Sequence, residues 1–312
     1  MFRKITFHIV AALALAGAAM HSGAVEPNAQ ICISVASLRA EPAHSSELET
    51  QALCGTPLWV DTLSDDPDWM PAILPDGYRA YVHRSAVALK SAEDMCKWRE
   101  SERIIVKSIN EIRLIADTLR PESAVSDLTL GSILTGRINH CGNYTAVEMP
   151  DGRRGYLLTN YIDDFKRRMA DELKIDRVLD VISSLRGVPY LWGGNSTKAL
   201  DCSGLIWLSL LDGGILSPRN ASAQGECGSE IQLSNVQPGD LLFFRNEHGR
   251  VTHVGISCGG THYFHSSGMV HESSFSDSDP MYNGRIVSFV KRIDWTGKTT
   301  GMKRIIENPW YF

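Results

Sequence analysis

Several absences narrow the reading of this chain. Beyond the first two dozen residues no uncharged apolar run approaches the roughly 20 residues needed to cross a bilayer, so stable membrane insertion is not expected. No cluster of Lys and Arg interrupts the sequence and the formal charge is −5, so the electrostatic footprint of a nucleic-acid binder is missing. Neither CxxC nor HxxxH spacing occurs, which argues against a zinc site, and no cofactor is implied. With 312 residues, 43% hydrophobic and 21% charged, the composition is that of a globular protein of about two domains, or three small ones. Cysteine is sparse and odd in number, at seven. In an oxidising compartment at least one thiol therefore has no intramolecular partner.

The compartment follows from the N-terminus. Arg3 and Lys4 precede an apolar stretch from Ile9 to Met20, and Ser22-Gly23-Ala24 supplies small residues for a signal peptidase. Residues 1–24 read as a secretory signal, and the protein is expected to be secreted, with the bacterial periplasm the expected location. No cysteine follows the cleavage point to carry a lipid.

Three landmarks then recur. SLRAEP from Ser37 is echoed by RLIADT from Arg113, LCGTPL from Leu53 by LGSILT from Leu130, and DGYRAYV from Asp76 by DGRRGYL from Asp151, displaced by about 76 residues. Each copy is a series of short alternating apolar runs broken by Asp-Gly turns, as in a small β-barrel. Both copies resemble the bacterial SH3-like domain. From Asp171 the spacing of Leu173, Val178, Val181, Ile182 and Leu185 becomes helical, ending at Gly187 and Pro189. A second helix from Cys202 and later strand-like runs at 240–244, 253–257, 262–266 and 285–291 indicate an α+β domain.

Chemistry concentrates there. Asp201 is a good N-cap, which places Cys202 in the first helical turn, where the helix dipole and a nearby imidazolium favour the thiolate. His253 opens a strand, and the Cys258-Gly259-Gly260 turn folds the next run back, so that with a three-residue turn His265 faces it directly. His262 has the opposite strand parity and competes for the same place. A nucleophile, a base and a residue to orient the base are thus available.

Four successive segments carry a closer resemblance: GVPYLWGGNSTKALDCSGLIW from Gly187, PRNASAQ from Pro218, QPGDLLFF from Gln237 and HVGISCGGTHYFHSSG from His253. In order and spacing they resemble the NlpC-type cell-wall cysteine peptidases. The resemblance implies a multidomain chain of two small SH3-like β-barrels (25–92 and 93–168) and an α+β papain-like catalytic domain (169–312). It implies a metal-independent endopeptidase cutting the γ-D-glutamyl-L-diamino acid bond of peptidoglycan-derived muropeptides with a free N-terminal L-alanine, in cell-wall recycling. Cys202 matches the nucleophile, His253 the base and His265 the third residue. Tyr190 matches a tyrosine near the oxyanion, and Asp201 and Ser203 match substrate contacts, the Asp toward the free amine. Trp192 would wall the pocket, and Tyr78, ahead of Tyr81, would close its amine end. Asn220 departs from the Asp that often follows the arginine. Rival readings are a wall-peptide-binding scaffold with an inactive domain and an amidase or acyltransferase of the same superfamily. Pairing the remaining cysteines with their nearest neighbours inside each domain predicts up to three disulfides, Cys32–Cys54, Cys96–Cys141 and Cys227–Cys258.

Overall fold

The structure is a computed structural model and describes residues 25–296 and 298–312; the expected signal segment, residues 1–24, lies outside them. Seven strands come first: β1 (Ala29–Ile31), β2 (Val35–Arg39), β3 (Leu48–Leu53), β4 (Pro57–Val60), β5 (Trp69–Ile73), β6 (Arg79–His83) and β7 (Val87–Leu89). Helix α1 (Ala92–Glu100), held by a Ser91–Asp94 capping box, leads to seven more. These are β8 (Arg103–Val106), β9 (Ile112–Asp117), β10 (Arg120–Leu128), β11 (Ile133–Thr135), β12 (Tyr144–Glu148), β13 (Arg154–Leu158) and β14 (Ile162–Asp164). The two sheets have one order, β3-β2-β6-β5-β4-β1-β7 and β10-β9-β13-β12-β11-β8-β14, each strand of the second being seven places after its counterpart. The repeat in the sequence is thus a repeat of topology.

The remainder has a different architecture. Helices α2 (Phe165–Ala170) and α3 (Ile175–Ser184) precede a small hairpin, β15 (Asn195–Ser196) with β16 (Ala199–Leu200), and the central α4 (Cys202–Asp212). After β17 (Ile215–Leu216) and α5 (Ala221–Gln224) come β18 (Ser229–Ile231), β19 (Leu241–Arg245), β20 (Val251–Gly259), β21 (His262–Ser267), β22 (Met269–Ser274) and β23 (Phe289–Arg292); β24 (Lys303–Arg304) pairs with β17. The main sheet runs β18-β23-β19-β20-β21-β22. Every residue of α4 is buried, as its all-round apolar sequence requires of a helix enclosed by other elements.

Leu53 of the first sheet, Leu130 and Ile133 of the second, and Leu208 and Leu211 of α4 belong to one apolar cluster that joins all three parts. Gly131 sits at that junction with φ +86°, and a Cβ there would come within 2.9 Å of Leu53 and 3.0 Å of Leu211. Only glycine combines that backbone conformation with that lack of space.

Disulfides are where the structure departs from expectation: all seven cysteines are free. Cys227 precedes β18 and Cys258 is the penultimate residue of β20, and with β23 and β19 between them those strands are three spacings of about 4.8 Å apart, beyond the ~7 Å a bridge tolerates. Cys54 packs into the core of the second sheet and the Cys32 thiol faces the Ser85 carbonyl in the first, so each thiol has contacts of its own and the two are not bonded. Cys96, on the exposed side of α1, meets Glu100, and Cys141 is on the exposed turn between β11 and β12.

Candidate active site

The site is assembled where the head of α4 meets β20 and β21. Asp201 caps the helix by accepting the Gly204 amide at 2.6 Å, which sets Cys202 in its first turn. The amides of Ser203 and Val254 are directed at the Cys202 thiol, which therefore lies against β20 beside His253. His253 Nε2 is 2.9 Å from His265 Nδ1, and His265 Nε2 is 2.9 Å from Ser273 Oγ. All are buried: Cys202 is 6% exposed, His253 5% and His265 1%. His253 Nδ1 has no hydrogen bond among the described residues and is left for the thiol.

The hairpin differs from the expected one. A bulge between Ser257 and Gly259 moves the register so that Ile256 opposes Phe264, which places His265 diagonal to His253 instead of directly opposite. The shift is an even number of residues in the pairing sum, so both rings stay on one face and still meet. His262, on the other face, is held between Glu272 (2.7 Å) and Asp279 (2.9 Å) and does not approach His253.

Charge follows burial here. Desolvation raises the Cys202 thiol to about 11, with the Asp201 carboxylate adding to the effect and the Val254 and Ser203 amides opposing it. Desolvation, then Arg285 and His271, lowers His253 to about 3, and desolvation with His253 lowers His265 to about 2. Both shifts favour a neutral thiol and a neutral imidazole. They run against the thiolate expected from the helix N-terminus, because loss of water opposes the partial charge of a helix end in so enclosed a site. Tyr190 lies within the field of Cys202, and desolvation raises its phenol to about 12.

The expected substrate contacts divide into two groups. Asp201 is fully engaged: Oδ1 accepts Gly204 N, Ser203 Oγ and Arg219 Nη1, and Oδ2 accepts Gly193 N (2.9 Å) and Arg219 Nη2 (2.7 Å). Five donors already occupy the roughly four lone-pair sites of this carboxylate. Ser203 is likewise committed inward, to Asp201 and Arg219. Tyr78 does reach the catalytic domain, where Asn220 Nδ2 donates to its phenol oxygen at 3.3 Å, while its own hydroxyl donates to Glu49 Oε2 at 2.5 Å. Tyr81 stays within the first sheet, paired with Arg39 and Pro71. Trp192 is 60% exposed, in the loop between Tyr190 and Gly193.

Sequence reasoning missed Arg219 as a site residue, and Glu49 and Ser273 altogether. Arg219 binds Asp201 with two nitrogens and donates Nε to Thr50 Oγ1 of β3 at 3.0 Å, which fastens the first sheet to the head of α4. Beside it Gln51 and Asn195 exchange backbone and side-chain hydrogen bonds at 3.0 and 3.2 Å. Gly193, at φ +76°, passes so close that a Cβ would stand 2.5 Å from the Leu48 carbonyl. The only available signal was the PRNASAQ segment, which names the arginine but not its partners.

Residues 187–291 match the NlpC/P60 family and residues 38–87 the bacterial dipeptidyl-peptidase SH3 domain. Among curated proteins the chain is 26% identical over 275 residues to dipeptidyl-peptidase 6 of Lysinibacillus sphaericus, covering 85% of this chain and 98% of that protein. It is 42% identical over 82 residues to γ-D-glutamyl-L-lysine dipeptidyl-peptidase of Bacillus subtilis, covering 26% of this chain and 28% of that one. The fold is similar to a solved NlpC/P60 family protein from Bacillus cereus, with TM-score 0.72 at 19% identity over 85% of this chain and 99% of the other. A Photobacterium damselae NlpC/P60 endopeptidase gives TM-score 0.63 at 16% identity over 91% of this chain and 74% of the other. The chain is a cysteine peptidase that carries an NlpC/P60 domain behind a bacterial SH3-type domain.

Proposed function

We propose that the enzyme hydrolyses the γ-D-glutamyl-L-diamino acid bond of released peptidoglycan stem peptides whose N-terminal L-alanine is free, as a step in cell-wall recycling outside the cytoplasm. The observation that carries this is the pairing of Tyr78 with Glu49, a half-buried carboxylate from the first sheet, where Tyr78 meets Asn220 of the catalytic domain. A carboxylate and a phenol suit an ammonium group, and Glu49 takes the part that the sequence suggested for Asp201. A glycan-linked peptide has an amide there and offers no cation. The identical strand order supports an SH3-like reading of the second sheet as well, and the buried helix packed on an antiparallel sheet supports a papain-like catalytic domain spanning 169–312.

The proposed chemistry begins from the neutral pair. As the thiol attacks the γ-glutamyl carbonyl, its proton passes to His253 Nδ1, so charge separation arises only along the reaction path. His265 holds the ring in place through Nε2. The Cys202 amide and the Tyr190 hydroxyl stabilise the oxyanion. The imidazolium protonates the leaving amine, and water, deprotonated by the same ring, releases the acyl group. Trp192 walls the pocket in this reading. Mass analysis of digests of L-Ala-γ-D-Glu-diaminopimelate peptides tests the reading. Release of the Ala-Glu dipeptide, abolished by Cys202→Ala, supports it. Peptide binding without release would indicate a scaffold, and cleavage at another bond would indicate an amidase.

A further inference from the structure

The base works only in one tautomer, and the structure contains a group that can select it. For His253 Nδ1 to accept the thiol proton, its Nε2 must carry hydrogen and donate to His265 Nδ1, 2.9 Å away. His265 is then protonated on Nε2, and that N–H needs an acceptor. Two groups face it. Ser273 Oγ, at 2.9 Å, can accept. Asn283 Nδ2, at 3.5 Å, can only donate, and its amide is oriented by Oδ1 accepting the Arg285 amide and Nδ2 donating to the Tyr263 phenol at 2.9 Å. Asn283 alone would favour hydrogen on His265 Nδ1, which reverses the pair and blocks His253 Nδ1 with a proton.

We infer that Ser273 is a positioning residue: by accepting from His265 Nε2 it sets the direction of the whole imidazole pair and keeps His253 Nδ1 a base. Ser273 is 3% exposed and stands opposite Tyr263 in the β21–β22 register, so bulk water does not reach it as a substitute. Ser273 thus ends a donor chain that runs from His253 through His265. No proton need move along this chain; its role is orientation.

The inference rests on His253 being the base in the function proposed above, and its test separates the two. Ser273→Ala should lower kcat by about tenfold or more with little change in KM, given the 10²–10⁴ that general-base catalysis contributes. It should slow iodoacetamide alkylation of Cys202 at pH 7 in parallel, a readout that needs no substrate. Ser273→Thr, which keeps the hydroxyl, should restore both rates, and adding Asn283→Ala to Ser273→Ala should recover part of the loss by removing the opposing donor. Nitrogen-15 spectra of the unsubstituted enzyme should show His265 protonated on Nε2, which decides the matter even if the variants fold poorly. Wild-type rates in Ser273→Ala, a Ser273→Thr as slow as Ser273→Ala, or His265 protonated on Nδ1 would overturn the assignment. Failure of the unsubstituted enzyme to cleave the peptide would overturn the proposed function and leave the alkylation and spectra to judge Ser273.

Discussion

The two N-terminal sheets share one strand order and are used in opposite ways. In the first, Glu49 of β3 meets Tyr78 of the same unit, while Thr50 and Gln51 meet Arg219 and Asn195 of the catalytic domain. In the second, the same three places on β10 hold Val125, Ser126 and Asp127, of which Asp127 forms an ion pair with Lys198 in the β15–β16 turn. The place of Tyr78 is taken by Arg153, which donates to the Cys32 carbonyl of the first sheet at 2.8 Å. Both copies therefore flank the hairpin before Cys202, but the first does so with buried polar groups and the second with exposed charges. Topology is shared, while the first copy is fastened to the head of α4 and the second to the turn beside it.

Energetic weight should follow that division. Arg219→Met strands a buried Asp201 among donors suited to a charge, and unfolding measurements should show a loss of about 3–5 kcal/mol together with loss of activity. Gln51→Ala leaves the Asn195 amide and Ser196 hydroxyl without their acceptor in a buried place and should cost about 1–3 kcal/mol in denaturant titrations. Asp127→Asn, on the exposed side of the comparison, should cost no more than about 1 kcal/mol in the same titration, because both partners are half in water. If Asp127→Asn matched Gln51→Ala, the division between site-forming and supporting copies would fail.

The smallest effect concerns His262. Its bond to Glu272, with Asp279 beside it, raises the imidazole above 6.5. A raised folded value means stability that is present below pH 6.5 and fades as pH rises through the folded value. His262→Gln should therefore lower Tm slightly at pH 6 and hardly at pH 9. An equal loss at both values would mean that the ring contributes by packing alone.

The sequence disclosed the elements whose spacing is local. The helix after Leu173, the capped helix at Cys202 and the repeat at Gly55/Gly131 and Gly77/Gly152 were legible because caps, periodicity and left-handed glycines leave marks on neighbouring residues; all four glycines have φ between +82° and +87°. His253 and His265 were legible because strand parity survives a register shift of two. What was hidden depends on distant segments. Asp201 read as a free carboxylate because Arg219, 18 residues on, gives no local sign of turning back to it. β22 went unread, and Ser273 and Glu272 with it, because MVHESS alternates too weakly to mark a strand. The burial of the thiol was hidden, since dipole and cap are visible in sequence and enclosure is not. Nearest-neighbour pairing of cysteines failed for the same reason, as strand order and side-chain direction decide which thiols can meet.

The central claim is that the first sheet makes the enzyme select a free amine. The direct measurement is kcat/KM on L-Ala-γ-D-Glu-diaminopimelate peptides with the alanine free or N-acetylated, for the unsubstituted enzyme and Glu49→Gln. The account predicts a preference for the free amine of at least about tenfold, the value of roughly 1.4 kcal/mol for one charge-assisted contact, and loss of most of it in Glu49→Gln while the acetylated peptide is cut at an unchanged rate. Equal rates on both peptides, or a preference untouched by Glu49→Gln, would contradict it.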